Sequence, residues 1–246
     1  MNTRLDKLLV DRKLVSSRVR AEQIIEEFGV LVNGKLVNKT GKKFDETVEI
    51  QLISEEIPWV SKGALKLLAA LEYWQIETTD KTFIDLGAST GGFTEVLISK
   101  NVKKVYCVDV GTNQLHPKLK ELPQIVNLEK THVRDLTNKL IPERVDGLVV
   151  DVSFISLEKV IPFVHTFLNE LSPAILLIKP QFEVGRVSLN KHGIVTDSKL
   201  YPEIIERIKR MCELNQLQFI GSIESPILGG DGNREFLSYF RKTKNS

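Results

Sequence analysis

The sequence predicts an α/β protein: a doubly wound, mostly parallel sheet closed by an antiparallel hairpin, with a small α+β module in front of it. Three observations carry that expectation. From residue 82 onward short apolar runs alternate with helical segments, the rhythm of parallel strands joined by crossovers. The first of these runs, Phe83-Ile84-Asp85-Leu86, empties into Gly87-Ala88-Ser89-Thr90-Gly91-Gly92, and Phe93 then opens a helix. Ahead of it, residues 1–43 hold ten Lys/Arg against five Asp/Glu, while residues 44–60 hold five acids and no base, so a basic module is followed by an acidic junction.

Within the basic module, Leu5, Leu8, Leu9 and Val10 share one face of a helix over residues 3–14, with Thr3 as N-cap. Ser16 or Ser17 caps a second helix whose apolar residues are Val19, Ile24, Ile25 and Phe28, and Gly29 stops it. Val30-Leu31-Val32 runs into the turn Asn33-Gly34, and residues 48–52 alternate as a strand with one wet face. Residues 53–61 form a linker in which Pro58 breaks any continuing element, which sets a first domain over 1–60 and a second over 62–246.

The second domain opens with a helix over 62–74 that turns Leu65, Leu68, Ala69 and Tyr73 inward. Strands follow near 82–86, 104–109, 125–128, 145–151 and 174–179, with helices near 92–100, 114–120, 134–140, 157–169 and 200–214. Residues 218–223 and 234–241 close the chain as two strands with no helix between them.

Composition excludes several function classes. Of 246 residues, 42% are hydrophobic and 27% charged, the balance of an ordinary globular chain. The first twenty residues include Arg4, Asp6, Lys7, Asp11, Arg12, Lys13, Arg18 and Arg20, so no secretory h-region is expected there, and no apolar run approaches a bilayer span. Cys107 and Cys212 make neither a disulfide framework nor a metal set. The expectation is a cytoplasmic protein with no metal and no membrane partner.

The chemistry concentrates at the carboxyl ends of the expected strands. A dinucleotide fingerprint needs G-x-G-x-x-G, and position 89 is Ser, so that fingerprint fails. What remains has Asp85 two places before Gly87, and a carboxylate there repels a pyrophosphate and attracts an ammonium. S-adenosylmethionine, with its sulfonium and α-amino groups, fits better than a nicotinamide dinucleotide; the alternative is a Gly-rich turn with no ligand. Asp109 ends the next strand, where a carboxylate can accept both ribose hydroxyls of an adenosine. Asp151 and Lys179 end two further apolar strands, and Lys179 needs a charged partner, for which Asp151 is the candidate; a structural ion pair is the alternative. His192 falls in a loop after Lys179 with Arg186 and Lys191, and is expected to be an exposed loop histidine rather than a base.

Two stretches resemble known families. Arg4-Leu5-Asp6-Lys7-Leu8-Leu9, Ser17-Arg18-Val19-Arg20-Ala21 and Val30-Leu31-Val32-Asn33-Gly34-Lys35 resemble the α-L RNA-binding module of ribosomal small-subunit protein four. That resemblance implies that Arg4, Lys7, Arg18, Arg20 and Lys35 contact RNA phosphates. The motifs Ser61-Lys62-Gly63, Asp85-Leu86-Gly87, Asp109-Val110-Gly111, Arg134-Asp135-Leu136, Asp151-Val152-Ser153-Phe154, Lys179-Pro180-Gln181-Phe182 and Asn233-Arg234-Glu235-Phe236 resemble the FtsJ-like RNA 2′-O-methyltransferases. The chain as a whole resembles the TlyA family, which joins both parts.

The resemblance implies a Rossmann-like class I methyltransferase domain, with a seven-stranded mostly parallel sheet, that methylates cytidine of ribosomal RNA in assembled ribosomal subunits. It implies a catalytic tetrad of Lys66, Asp151, Lys179 and Glu235. It also implies an S-adenosylmethionine site in which Asp85, Gly87, Ala88, Ser89, Gly91, Gly92 and Phe93 line the methionine side, Asp109 the ribose and Asp135 the adenine. Lys62, where relatives usually have Arg, and Arg186 are further expected RNA contacts. Two rival functions are kept: a membrane-damaging protein, because the family also carries the name hemolysin, and a non-enzymatic RNA-binding factor in ribosome assembly.

Overall fold

The computed structural model describes residues 2–53, 59–229 and 232–244, apart from the side chains of Gln23 and Glu27. The expected break at Pro58 lies outside the described residues. The chain divides into two compact units, Met1–Lys62 and Gly63–Ser246.

The first unit runs β1 (Asn2–Arg4), α1 (Leu5–Asp11), α2 (Arg18–Glu27), β2 (Val30–Val32), β3 (Lys35–Val37), β4 (Lys43–Asp45) and β5 (Ile50–Leu52). The helix expected over 3–14 is shorter than its apolar pattern, and Thr3 does not cap it. Thr3 lies in β1, paired with Phe44 of β4, and the first free amides of α1 go to backbone oxygens instead: Leu5 N–H to Lys42 O (2.9 Å) and Asp6 N–H to Thr40 O (3.4 Å). β4 escapes sequence reading because Lys43-Phe44-Asp45 holds one apolar residue between two charges. Ser17 caps α2, its side chain accepting from Arg20 N–H at 3.2 Å, and Gly29, at φ +77, ends it with its N–H shared between Ile24 O and Ile25 O. Asn33 and Gly34, at φ +49 and +73, form the two-residue hairpin turn between β2 and β3. Leu5, Leu9, Ile24, Ile25 and Val30 meet in the core of this unit.

The second unit continues α3 (Gly63–Tyr73), β6 (Thr82–Leu86), α4 (Gly92–Ser99), β7 (Lys104–Val108), α5 (Pro117–Lys120), β8 (Ile125–Leu128), β9 (Gly147–Val150), α6 (Ile161–Val164), β10 (Pro173–Ile178), α7 (Pro180–Glu183), α8 (Leu200–Leu214), β11 (Leu217–Glu224) and β12 (Phe236–Lys242). Its seven strands lie in the order β11-β12-β10-β9-β6-β7-β8, parallel except for β12, which is antiparallel to both neighbours. The expected wound sheet with a closing hairpin is therefore present. Its central strands β6, β9 and β10 are buried almost end to end, and apolar but for Thr82 and Asp85 of β6, because helices and loops cover both faces.

Two local expectations are corrected. α3 buries Ala64, Leu67, Ala70 and Leu71, with Lys66 beside them, while Leu65, Leu68 and Ala69 are half-buried and Tyr73 is exposed. The apolar residues of this helix are spread around it, so periodicity alone picked the wrong stripe. The helices expected over 134–140 and 157–169 are reduced to a 3₁₀ turn at Val133–Asp135 and to a broken run in which α6 is one turn long. Thr137 and Asn138 compete with helix backbone in the first, and Pro162 removes an amide donor in the second.

Candidate active site

A cleft of ≈ 410 Å³ opens where β6, β7 and β9 end, walled by Gly87, Ser89, Asp109, Gly111, Asp151 and Ser153 together with Leu86, Val108, Val133 and Ile155. That volume and mixed lining suit a nucleoside-sized ligand. Gly87 is required by its surroundings: its φ is +82, and a Cβ there would sit 2.4 Å from the Asp151 carbonyl oxygen. Ser89 also adopts a left-handed conformation (φ +47), which turns its amide onto Asp109 Oδ2 at 2.8 Å, while Gly111 N–H reaches Asp109 Oδ1 at 2.7 Å. Two backbone donors thus hold the Asp109 carboxylate still on the cleft wall, and each oxygen retains acceptor capacity for a hydroxyl.

Asp85 is behind that wall and not in it. Its side chain is fully buried, Oδ2 accepts from Thr94 Oγ1 of α4 at 2.6 Å, and Oδ1 has no hydrogen-bond partner among the described residues. Burial pushes its pKa up to about 7, the Thr94 hydroxyl opposing and the nearby Asp151 and Asp109 carboxylates adding to the rise. The same Thr94 hydroxyl is 3.1 Å from Cys107 Sγ, whose thiol burial also pushes up. In this geometry the Asp85 carboxylate ties β6 to α4. Ala88, Gly91, Gly92 and Phe93 likewise form the turn and the start of α4 without lining the cleft. Asp135 is exposed just past Thr131, His132 and Val133, which do line it.

The four lysine and carboxylate residues come together at one sheet edge as two separate ion pairs. Lys179 Nζ, just beyond β10, is 2.6 Å from Asp151 Oδ1 and 2.8 Å from Ser153 Oγ. Lys66 Nζ, on α3, is 2.6 Å from Glu235 Oε2, and both side chains are under a tenth exposed. The β10–β12 register pairs Ile178 with Phe236, so Lys179 and Glu235 stand one step beyond, on adjacent strands. Gly229 closes over Glu235, since a Cβ there would sit 2.4 Å from Oε1. Each lysine has its own carboxylate.

Three residues of the site had no signal in local pattern. Glu183, buried on α7, accepts from Ser156 Oγ (2.7 Å) and Leu157 N–H (2.9 Å), tying the segment after Asp151 to the segment after Lys179; burial raises its pKa. Ser153 is the second partner of Lys179. Phe154 is 90% exposed at φ +63 on the cleft rim, its ring 5.0 Å from that of Phe182. Of the expected RNA contacts, Arg4, Lys7, Arg18, Lys35 and Arg186 are exposed, as is His192. Arg20 is half-buried and donates to the Trp59 carbonyl, and Lys62 sits 5.3 Å from the Phe28 ring centroid.

Comparison with known proteins agrees with this architecture. The FtsJ-like methyltransferase family model matches residues 59–242, and the S4 domain model matches residues 3–50. The 16S/23S rRNA (cytidine-2′-O)-methyltransferase TlyA of Mycobacterium tuberculosis is 36% identical over 239 residues, 97% of this chain and 89% of that protein. Hemolysin A of Brachyspira hyodysenteriae is 36% identical over 239 residues, 96% of this chain and 99% of that protein. A solved structure from Streptococcus thermophilus that carries a provisional hemolysin label is 35% identical with a TM-score of 0.78, covering 99% of this chain and 90% of that one. With both domain models in order and relatives matched over nearly their full length, the chain belongs to the TlyA family of FtsJ-like methyltransferases with an N-terminal S4 domain.

Proposed function

We propose that this protein is a cytoplasmic, S-adenosylmethionine-dependent methyltransferase that acts on the 2′-hydroxyl of a cytidine in ribosomal RNA of assembled subunits. In this reading residues 1–60 grip the RNA and residues 62–246 carry the chemistry. The observation that carries the reading is the Lys179–Asp151 pair at the cleft rim, with a second, buried Lys66–Glu235 pair one strand away.

The cleft suits S-adenosylmethionine on its own geometry. Asp109, held by two amides, would take the ribose hydroxyls; Gly87 lets the Asp151 backbone close up against the turn at the cleft wall; Thr131 to Val133 would flank the adenine. When bound, S-adenosylmethionine supplies a methyl group already activated by its sulfonium. The protein's task is then to orient a weak nucleophile in line and to give its proton somewhere to go. Lys179 Nζ donates to Ser153 and is ion-paired with Asp151, and a further position on it is left for the 2′-oxygen. As an ammonium Nζ donates to the 2′-oxygen and holds it in line, the hydroxyl proton leaves to water as the new O–CH3 bond forms, Asp151 and Ser153 fix the direction of Nζ, and Lys66–Glu235 props the neighbouring strand end. The exposed Phe154 ring offers a stacking face for a nucleobase presented at the rim.

The hemolysin label of some relatives finds no matching feature: among the described residues no helix is long and apolar enough to cross a membrane. The deciding experiment incubates purified protein with labelled S-adenosylmethionine and separated ribosomal subunits from a strain lacking it, then maps any modified nucleotide. Label on one rRNA ribose, lost in Lys179→Ala while cofactor binding survives, is expected. Turnover by Lys179→Ala at the wild-type rate overturns the catalytic assignment, and failure of the wild type to bind cofactor favours the non-enzymatic RNA-binding reading.

A further inference from the structure

In the first unit one carboxylate is wholly out of solvent. Asp6, in the first turn of α1 next to Leu5, is covered completely. Arginines from two different elements converge on it. Arg4, at the end of β1, donates from Nε to Oδ1 (3.0 Å) and from Nη2 to Oδ2 (2.9 Å), a two-point fork, and Arg18, at the start of α2, donates from Nε to Oδ2 (2.8 Å). Burial would raise this carboxyl, but the two guanidiniums and the Lys7 amide hold it well below the usual carboxylate range.

The two heads are not themselves buried: the Arg4 side chain is 43% exposed and that of Arg18 59%. Outside the bonds to Asp6, Arg4 has Nη1 and Arg18 both Nη groups as donors; Glu22 Oε1 lies 3.5 Å from Arg18 Nε as an exposed i,i+4 contact. A Cβ on Gly41 would come 3.8 Å from Arg4 Nη1, so the loop carrying Lys39 and Lys42 runs beside that head. This loop and Glu26 border an open groove of ≈ 500 Å³. Burying a carboxylate is costly unless it is paired. What a carboxylate does there is hold two guanidiniums side by side before any ligand arrives, which removes ordering cost from binding.

We propose that Asp6 is a positioning residue that presets Arg4 and Arg18 as a rigid clamp for neighbouring phosphates of a structured RNA backbone, with the Asn38–Lys42 groove continuing the track. This rests on the reading above that Arg4 and Arg18 touch RNA. Arg suits the task because its planar fork can bond Asp6 along one edge and phosphate along another, which a lysine cannot do.

The test measures binding of the full chain to purified ribosomal subunits across a salt series, together with kcat and KM for methyl transfer. Arg4→Gln/Arg18→Gln should weaken binding and flatten the slope of log Kd against log salt by about 1.4–1.8, two phosphate contacts at roughly 0.7–0.9 each. Asp6→Asn should reproduce most of that loss, raising KM for subunits while kcat at saturation holds, and should add less than about twofold in the Arg4→Gln/Arg18→Gln background. An Asp6→Asn loss that is equal in both backgrounds, or that leaves the salt slope unchanged, overturns the clamp. Because Asp6→Asn can also unfold the module, Arg4→Lys/Arg18→Lys is the second variant: it keeps both charges and should bind about tenfold more weakly while still melting cooperatively. Wild-type binding by that lysine variant also overturns the proposal. If Arg4→Gln/Arg18→Gln itself binds like wild type, the RNA-contact reading fails, a result separable from the catalytic one because label lost in Lys179→Ala still reports on the second unit.

Discussion

Replacing Lys66 by Met removes the cation facing a carboxylate whose side chain is 3% exposed, across a contact of 2.6 Å, with Gly229 packed against the far oxygen. Taking one partner from such a buried pair costs about 3–5 kcal/mol. That is a large share of the roughly 5–15 kcal/mol that holds a domain folded. Urea unfolding of Lys66→Met followed by circular dichroism should therefore show a loss of about 3 kcal/mol or more. Lys66→Met/Glu235→Leu removes both charges, and well-packed apolar replacements of this kind are neutral or stabilising by about 1–4 kcal/mol, so the double variant should recover its stability without recovering methyl transfer. Single costs that simply add in the double variant would refute the argument that the pair is one buried unit. A stable double variant that still methylates would remove Lys66 and Glu235 from the chemistry.

Two further outcomes follow from the cleft. Because burial holds Asp85 at about 7, the folded chain keeps a proton that the unfolded chain releases near pH 4, so this residue's contribution to stability declines between those values. At about 1.4 kcal/mol per unit the decline reaches at most about 4 kcal/mol. Asp85→Asn should match the wild type near pH 4 and exceed it at pH 8 in denaturant melts, and parallel pH profiles would contradict the assignment. Phe154→Ala should lower kcat/KM on ribosomal subunits about 5- to 150-fold, the equivalent of about 1–3 kcal/mol of lost stacking, with cofactor affinity unchanged by calorimetry. An undiminished kcat/KM would exclude the ring as a base platform.

What the sequence discloses about this fold depends on how far apart the determining residues lie. The turn at 87–92, the cap Ser17 and the hairpin Asn33-Gly34 are local: each needs a residue type at a fixed offset, and each is found where the pattern puts it. α3 misled for a local reason as well, since Leu65, Leu67, Leu68 and Leu71 leave its helix face undetermined, and only packing against β12 and α4 selects 64, 67 and 70. β4 is specified by its partner β1, 41 residues away from Asn2 at the nearest end, with little of its own pattern to announce it.

The candidate site follows the same rule at longer range. Asp151 and Lys179 each end an apolar run, so chain order and the parallel sheet suffice to suggest that they meet, and their nitrogen and oxygen are 2.6 Å apart. Nothing local joins Lys66 to Glu235 across 169 residues. That contact exists because β12 runs antiparallel beside β10, carrying Glu235 to the same edge as Lys179, while α3 packs against β12 and brings Lys66 in from the other side. Family resemblance supplied those two residues, and the sheet supplies the physical reason they belong together. The same register explains why the protein can keep two ammonium groups near one ligand edge. Each is neutralised by a carboxylate delivered on a different element, so neither lysine depends on the other's acid, and substitutions in one pair should leave the geometry of the other in place.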